Sequence, residues 1–344
     1  MKQGIQNRIT ILATSAIMIL LIVNTNIAIA GVSEGIELCI RVIIPSLFPF
    51  FVVTSLLNGS IIGHQIPYFH YLTNKLNFPK FGDSILLLGL TGGYPVGAQL
   101  IAQSYHSKQL SKQSSRILLG YCNNAGPAFI FGIAYALFSS KPLAFAIWFI
   151  HIFSALLTGF LLPRPQAESI QWKSSNGMSV TNSLKQSIQL CATTCGWIIL
   201  FKIVLSYIQK FFIHSSSSTF AVIISGILEI SNGCVRLAEI PSVSIKFILC
   251  NLFISFGGIC VMLQTASAAE GLGLGLYVPG KIIQTGITTM IAVLFAYLFF
   301  PQDQIPIATS LSILSLCLIS IFITVRYIKK DMVISRKIVY NQAS

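Results

Sequence analysis

Three short stretches hold the residues whose types and spacing point to chemistry: GGYPVGAQ at 92–99, CNNAGP at 122–127 and GGICVMLQ at 257–264. Each sets glycines, amides or prolines inside an apolar run, where lipid otherwise demands unbroken helix. Non-helical backbone at membrane depth survives only where protein or a water-filled cavity satisfies its freed N–H and C=O groups. The chemistry on offer is therefore binding, not bond breaking. Gly92, Gly93, Tyr94, Pro95 and Gly97 let backbone N–H groups approach a ligand closely, and a half-helix N-terminus there favours an anion. Gln99 and Gln264, with Asn123 and Asn124 ahead of Gly126 and Pro127, donate and accept hydrogen bonds without the cost of burying an ion. Gly257 and Gly258 play the same part in the second glycine pair.

Three further residues are read as coupling or counter-charge groups. Glu229 lies in the apolar stretch SGILEISNG at 225–233 with Asn232 beside it, and an intramembrane carboxylate is a functional candidate by default. Lys281 is read as an interfacial anchor before a substrate counter-charge. The competing reading of all these glycines and amides is helix packing, with the amides bonding across helices.

No hydrolytic or redox constellation accompanies them. HExxH and Walker A patterns are absent and the five histidines are scattered, so no enzyme, metal centre or cofactor is expected. The eight cysteines lie almost entirely in apolar segments and read as small packing residues.

The elements that must position these residues follow from composition. The chain has 344 residues, 54% apolar and 9% charged, with a mean hydropathy of +0.79. Apolar runs of about 20 residues match the bilayer core, so an all-α polytopic membrane protein is expected. The net charge of +13 falls mainly between those runs, which makes it a matter of topology and not of nucleic-acid binding. The lipid bilayer is the expected partner, and a homo-oligomer remains open.

Along the chain the expectation is a transmembrane helix within 1–33, a first repeat over 34–162, a polar linker over 163–183, a second repeat over 184–327 and a basic tail from 328 to 344. The first repeat holds a re-entrant hairpin at 84–104 and a broken helix at 117–138. Within it, Glu37 and Arg41 are spaced to pair on one helix face. The second repeat is expected to hold its hairpin at about 246–268, because GGICVMLQ echoes GGYPVGAQ and Ile188–Cys191 echoes Ile36–Cys39. Such duplication is the usual build of secondary transporters. The repeats are expected to be inverted, with the linker and the tail on opposite faces, against the positive-inside tendency of the basic tail.

GGYPVGAQ, CNNAGPAFIFG at 122–132, LEISNG at 228–233 and FGGICVMLQ at 256–264 together resemble the nucleoside-recognition, or Gate, domain family, and its branch of sporulation membrane proteins. The resemblance spans about residues 34 to 327. It implies a fold similar to concentrative nucleoside transporters, two inverted repeats each with a hairpin and a broken helix. It also implies a part in endospore formation, moving dipicolinate across a forespore membrane, with H⁺ or Na⁺ as coupling ion. From the residues themselves a small anion is favoured over a nucleoside, because the two glycine-rich motifs contain no Asp or Glu. A non-transporting scaffold for spore-envelope assembly is the rival from another class.

Overall fold

The computed structural model describes residues 2–61, 65–67, 69–76, 78, 82–165, 179–212 and 219–343. Among them every regular element is helical. Six helical segments are long and apolar enough to cross a bilayer: Thr25–Asn58, Lys141–Leu161, Val180–Phe212, Val243–Ala268, Tyr277–Phe299 and Ile307–Lys330. The expected polytopic helical architecture is thus observed.

The chain opens with α1 (Lys2–Val23) and α2 (Thr25–Leu38). A π-turn at Cys39–Ile43 carries α2 into α3 (Ile44–Ile61). The expected boundary between residues 33 and 34 therefore falls inside a helix. Glu37 and Arg41 do pair at 3.1 Å, with both side chains exposed. The surface helix α4 (Phe69–Lys75) follows, then two short antiparallel helices, α5 (Asp83–Thr91) and α6 (Val96–His106), reversing at Gly92–Pro95. At 1.5 Å per residue neither exceeds about 17 Å, half of a hydrocarbon core. Next, α7 (Lys112–Leu119) and α8 (Pro127–Phe138) are parted by an irregular stretch at 120–126, the broken helix expected there. Helix α9 (Lys141–Leu161) closes the first half. Residues 166–178 of the expected linker lie outside the described residues.

The described chain resumes at residue 179. A long helix α10 (Val180–Phe212) packs along α2 and α3. Two short helices, α11 (Thr219–Leu228) and α12 (Ile230–Arg236), then pack against each other, with Gly233 set against Gly226 so closely that a Cβ at 233 would collide with the Gly226 backbone. A broken helix follows, α13 (Val243–Phe256) and α14 (Gly258–Ala268), and then α15 (Tyr277–Phe299) and a last helix, α16 (Ile307–Ala343).

This order corrects the expected second hairpin. Residues 246–268 do not fold back; the left-handed glycines Gly257 (φ +79°) and Gly258 (φ +80°) interrupt a segment that still spans as one. The reversal occurs at 219–236, where Gly226 and Gly233 let two helix backbones touch. GGYPVGAQ therefore belongs to a hairpin and GGICVMLQ to a broken helix.

The candidate spans also bear on the expected sidedness. Among the described residues between 165 and the tail lie four segments long and apolar enough to span, α10, α13–α14, α15 and α16. An even number returns the chain to the same face. On that count Arg164, Lys185, Arg326, Lys329 and Lys330 fall on one side, in keeping with the positive-inside tendency. Helix α16 is only 6% buried over its spanning window, leaving Leu311, Leu318, Phe322 and Ile323 for lipid to cover.

Candidate solute site

Each hairpin grips the broken helix that follows it. Gly89 on α5 and Gly97 on α6 flank the Cys122 carbonyl in the irregular stretch, and a Cβ on either would collide with that oxygen. Gly93 (φ +84°) lies against Gly126 in the same way, backbone to backbone. Asn123 seals this joint: its Oδ1 accepts from Ala98 N at 3.3 Å, and its Nδ2 donates to Thr265 Oγ1 on α14 at 2.9 Å. In the second half, Gly258 sits beneath the tip of the α11–α12 hairpin, where a Cβ would stand 3.1–3.2 Å from the carbonyl oxygens of Gly226, Ile227 and Leu228.

Glu229 forms the tip of that second hairpin. It is fully buried, adopts extended backbone (φ −147°, ψ 122°) and caps α12 with its own carboxylate. That carboxylate accepts from Ser231 N at 3.0 Å, Asn232 N at 2.7 Å and Asn232 Nδ2 at 2.7 Å. The role of Asn232 is thus to hold Glu229.

Lys281 is not an interfacial anchor. It is 0% exposed, and its ammonium donates to Tyr94 Oη at 3.0 Å, Asn124 Oδ1 at 3.2 Å and Gln284 Oε1 at 2.7 Å. The Tyr94 ring centroid lies 5.0 Å away and that of Tyr277 5.8 Å. The network continues as Gln284 Nε2 donates to Asn124 Oδ1 at 3.0 Å and Asn124 Nδ2 to Tyr121 O at 2.7 Å. Snorkelling cannot apply to an ammonium held among residues of the first hairpin, the first helix break and its own helix.

Two cavities meet at this centre. The inner one, about 30 Å³ and large enough for a water, is lined by Tyr94, Gly126, Thr194, Glu229, Ser231 and Gln264 among apolar neighbours. The outer one, about 210 Å³, is walled by Pro95, Gln99, Gln186, Gln189, Thr193 and Gln264, with Ser267 and Thr194 completing its polar lining. Thr194 and Gln264 belong to both. Among the residues singled out in the sequence, Tyr94, Pro95, Gln99, Gly126, Glu229 and Gln264 face these spaces. Gly92, Gly93, Gly97, Pro127, Gly257 and Gly258 shape the turns and close packing around them. Asn123, Asn124 and Lys281 form the polar centre beside them.

Gln186, Gln189, Thr193, Thr194 and Gln284 were not singled out. A signal existed for four of them, since 186, 189, 193 and 194 share one face of an otherwise apolar helix.

Spans, breaks and buried polar centre together make this a multi-pass integral membrane protein. It is similar to sporulation integral membrane protein YlbJ of Bacillus subtilis (strain 168): 24% identical over 277 residues, covering 67% of this chain and 68% of the relative. No family model matches the chain, so the nucleoside-recognition likeness stays a likeness of motifs. No solved structure matches it.

Proposed function

We propose that this protein is a membrane carrier for a small anionic metabolite, with the solute held between the tips of the two hairpins. One observation carries the reading: uncapped helix N-termini at Gly126 and Pro95 line the two cavities. Helices α6, α8 and α14 begin at Pro95, Gly126 and Gly257 with no side-chain cap. Each contributes about half a positive charge at its N-terminus. The Lys281 side-chain nitrogen adds hydrogen-bond donors aimed at three neutral oxygens, with no carboxylate pairing it among the described residues. Against them stands Glu229, already engaged by three N–H groups. The four glutamines of the outer chamber supply donors for carboxylate oxygens and acceptors for ring or hydroxyl donors.

The recurrence of long helix, hairpin, broken helix and long helix supports two inverted repeats, since three crossings precede α10 when the α7–α8 broken helix is counted as one. Likeness to a sporulation protein supports a place in endospore formation; dipicolinate as the solute and a forespore membrane as the location follow only from the motif resemblance. Glu229 on the inner wall favours a second reading, a neutral nucleoside whose hydroxyls the carboxylate would bind.

Uptake into proteoliposomes of dipicolinate, a simple dicarboxylate and uridine, compared side by side, tests the reading. Faster accumulation of either acid is expected, and loss of it in Gln99→Ala with normal membrane levels. Uridine outpacing both acids would restore the nucleoside. No accumulation of any of the three, with a spore-envelope protein recruited normally, would make the protein a scaffold.

A further inference from the structure

We infer that the Lys281 ammonium is a tethered monovalent cation, filling the place where a carrier of this build would bind a free one, and that Na⁺ is therefore not a ligand of this protein. The coordination carries the inference. In carriers with broken helices, coupling ions are held by oxygens freed where helices unwind. Here side-chain oxygens converge in their stead from three elements: Tyr94 from the turn of the first hairpin, Asn124 from the break between α7 and α8, and Gln284 from α15. All three face one point, and the ammonium sits there with its three N–H groups matched to three oxygens. The rings of Tyr94 and Tyr277 close two further sides with their negative faces.

No anionic side chain competes for the charge. The titratable groups around Lys281 are Tyr94 from the hairpin, Cys122 from the break, His151 from α9 and Tyr277 on its own helix. All are neutral at pH 7 by their ordinary chemistry. A lysine here thus does what a bound alkali ion does, crosslinking hairpin, break and α15 by neutral oxygens. Because it is covalently attached, the site cannot also admit Na⁺.

Thermal unfolding of the purified protein tests this without reference to transport. The wild-type midpoint should be the same in NaCl and in choline chloride. Lys281→Ala empties the position, lowers the midpoint, and should regain about 2–4 °C with methylammonium or Na⁺, whereas Lys281→Met, which fills the space with an apolar chain, should regain nothing. A wild-type midpoint raised by Na⁺ over choline overturns the inference, as does a Lys281→Ala protein indifferent to both cations. Should Lys281→Ala fail to fold, the wild-type comparison and the unresponsive Lys281→Met protein decide it. A parallel uptake measurement rests on the carrier reading: wild-type accumulation should persist in choline, and that of Lys281→Ala should become dependent on methylammonium or Na⁺. Loss of all uptake with the thermal results intact would fault the carrier reading alone.

Discussion

Asn123 and Asn124 are neighbours in sequence with divided tasks. Asn123 is committed to Ala98 and Thr265, joining first hairpin, first break and α14; Asn124 is committed to Lys281, Gln284 and Tyr121. Asn123→Ala leaves the buried Ala98 N–H without its acceptor, and about 1–3 kcal/mol of stability should go with it, read as a lower unfolding midpoint in detergent. Gln99→Ala, on the wall of the outer chamber, should leave that midpoint within the scatter of the wild type. Glycines divide in the same manner. Gly97→Ala forces a methyl into the Cys122 carbonyl and should lower stability by ~1–3 kcal/mol or more. Gly132→Ala, with nothing within 4 Å of its Cβ and a helical backbone, should instead gain up to about 1 kcal/mol. The sequence marks both glycines equally as apolar-run glycines. Only the backbone that each one faces separates them, and that neighbour lies 25 residues away in one case and does not exist in the other.

At the scale of elements, the first hairpin and first broken helix were legible because Gly-Gly-Tyr-Pro and Asn-Ala-Gly-Pro carry strong local turn and break chemistry. The second pair was not. Its hairpin turns on Glu229 with a single extended residue, no Gly-Gly and no Pro, and depends on contact between Gly226 and Gly233. The similarity of 257–264 to 92–99 is real in letters, yet the two glycine pairs do different work: one reverses the chain and the other only interrupts it. The revised order makes a topological prediction. Single cysteines at Arg164 and Lys330, in a protein otherwise free of cysteine, should react with an impermeant thiol reagent from the same side; reaction from opposite sides would remove one of the four spans between them. A second prediction concerns the loop after α15. Its Asp303 accepts from Ser244 N at 2.8 Å and from Ser242 Oγ at 2.9 Å, over the start of α13. The Ser244 N–H, and then the Ser242 hydroxyl, hold its carboxyl below the ordinary carboxylate value. A depressed folded value stabilises the fold above the unfolded value of about 3.9 and loses that contribution as pH falls through the folded one. Asp303→Asn should therefore flatten the loss of stability on acidification through that window, seen in unfolding midpoints measured between about pH 5 and pH 3.

Across the whole molecule, the two halves meet through side chains that no local pattern joins: Tyr94 to Lys281 spans 187 positions, Asn124 to Gln284 160, and Asn123 to Thr265 142. That separation is why the membrane class was plain from hydropathy while the centre was not. Lys281 in particular reads as an anchor when only its own helix is considered. One consequence of the centre concerns the membrane voltage. Lys281 and Glu229, both fully buried, have opposite sign when ionised, so together they add no net monopole to the core. A transmembrane field pulls on the two in opposite directions and does no net work on the pair as a body. Removing either one uncovers a unit charge, worth up to about 2.3 kcal/mol per 100 mV over a full traverse. The two groups do not bond each other, yet their charges cancel across the core, and Lys281→Met or Glu229→Gln should each make it voltage-sensitive, with opposite sign.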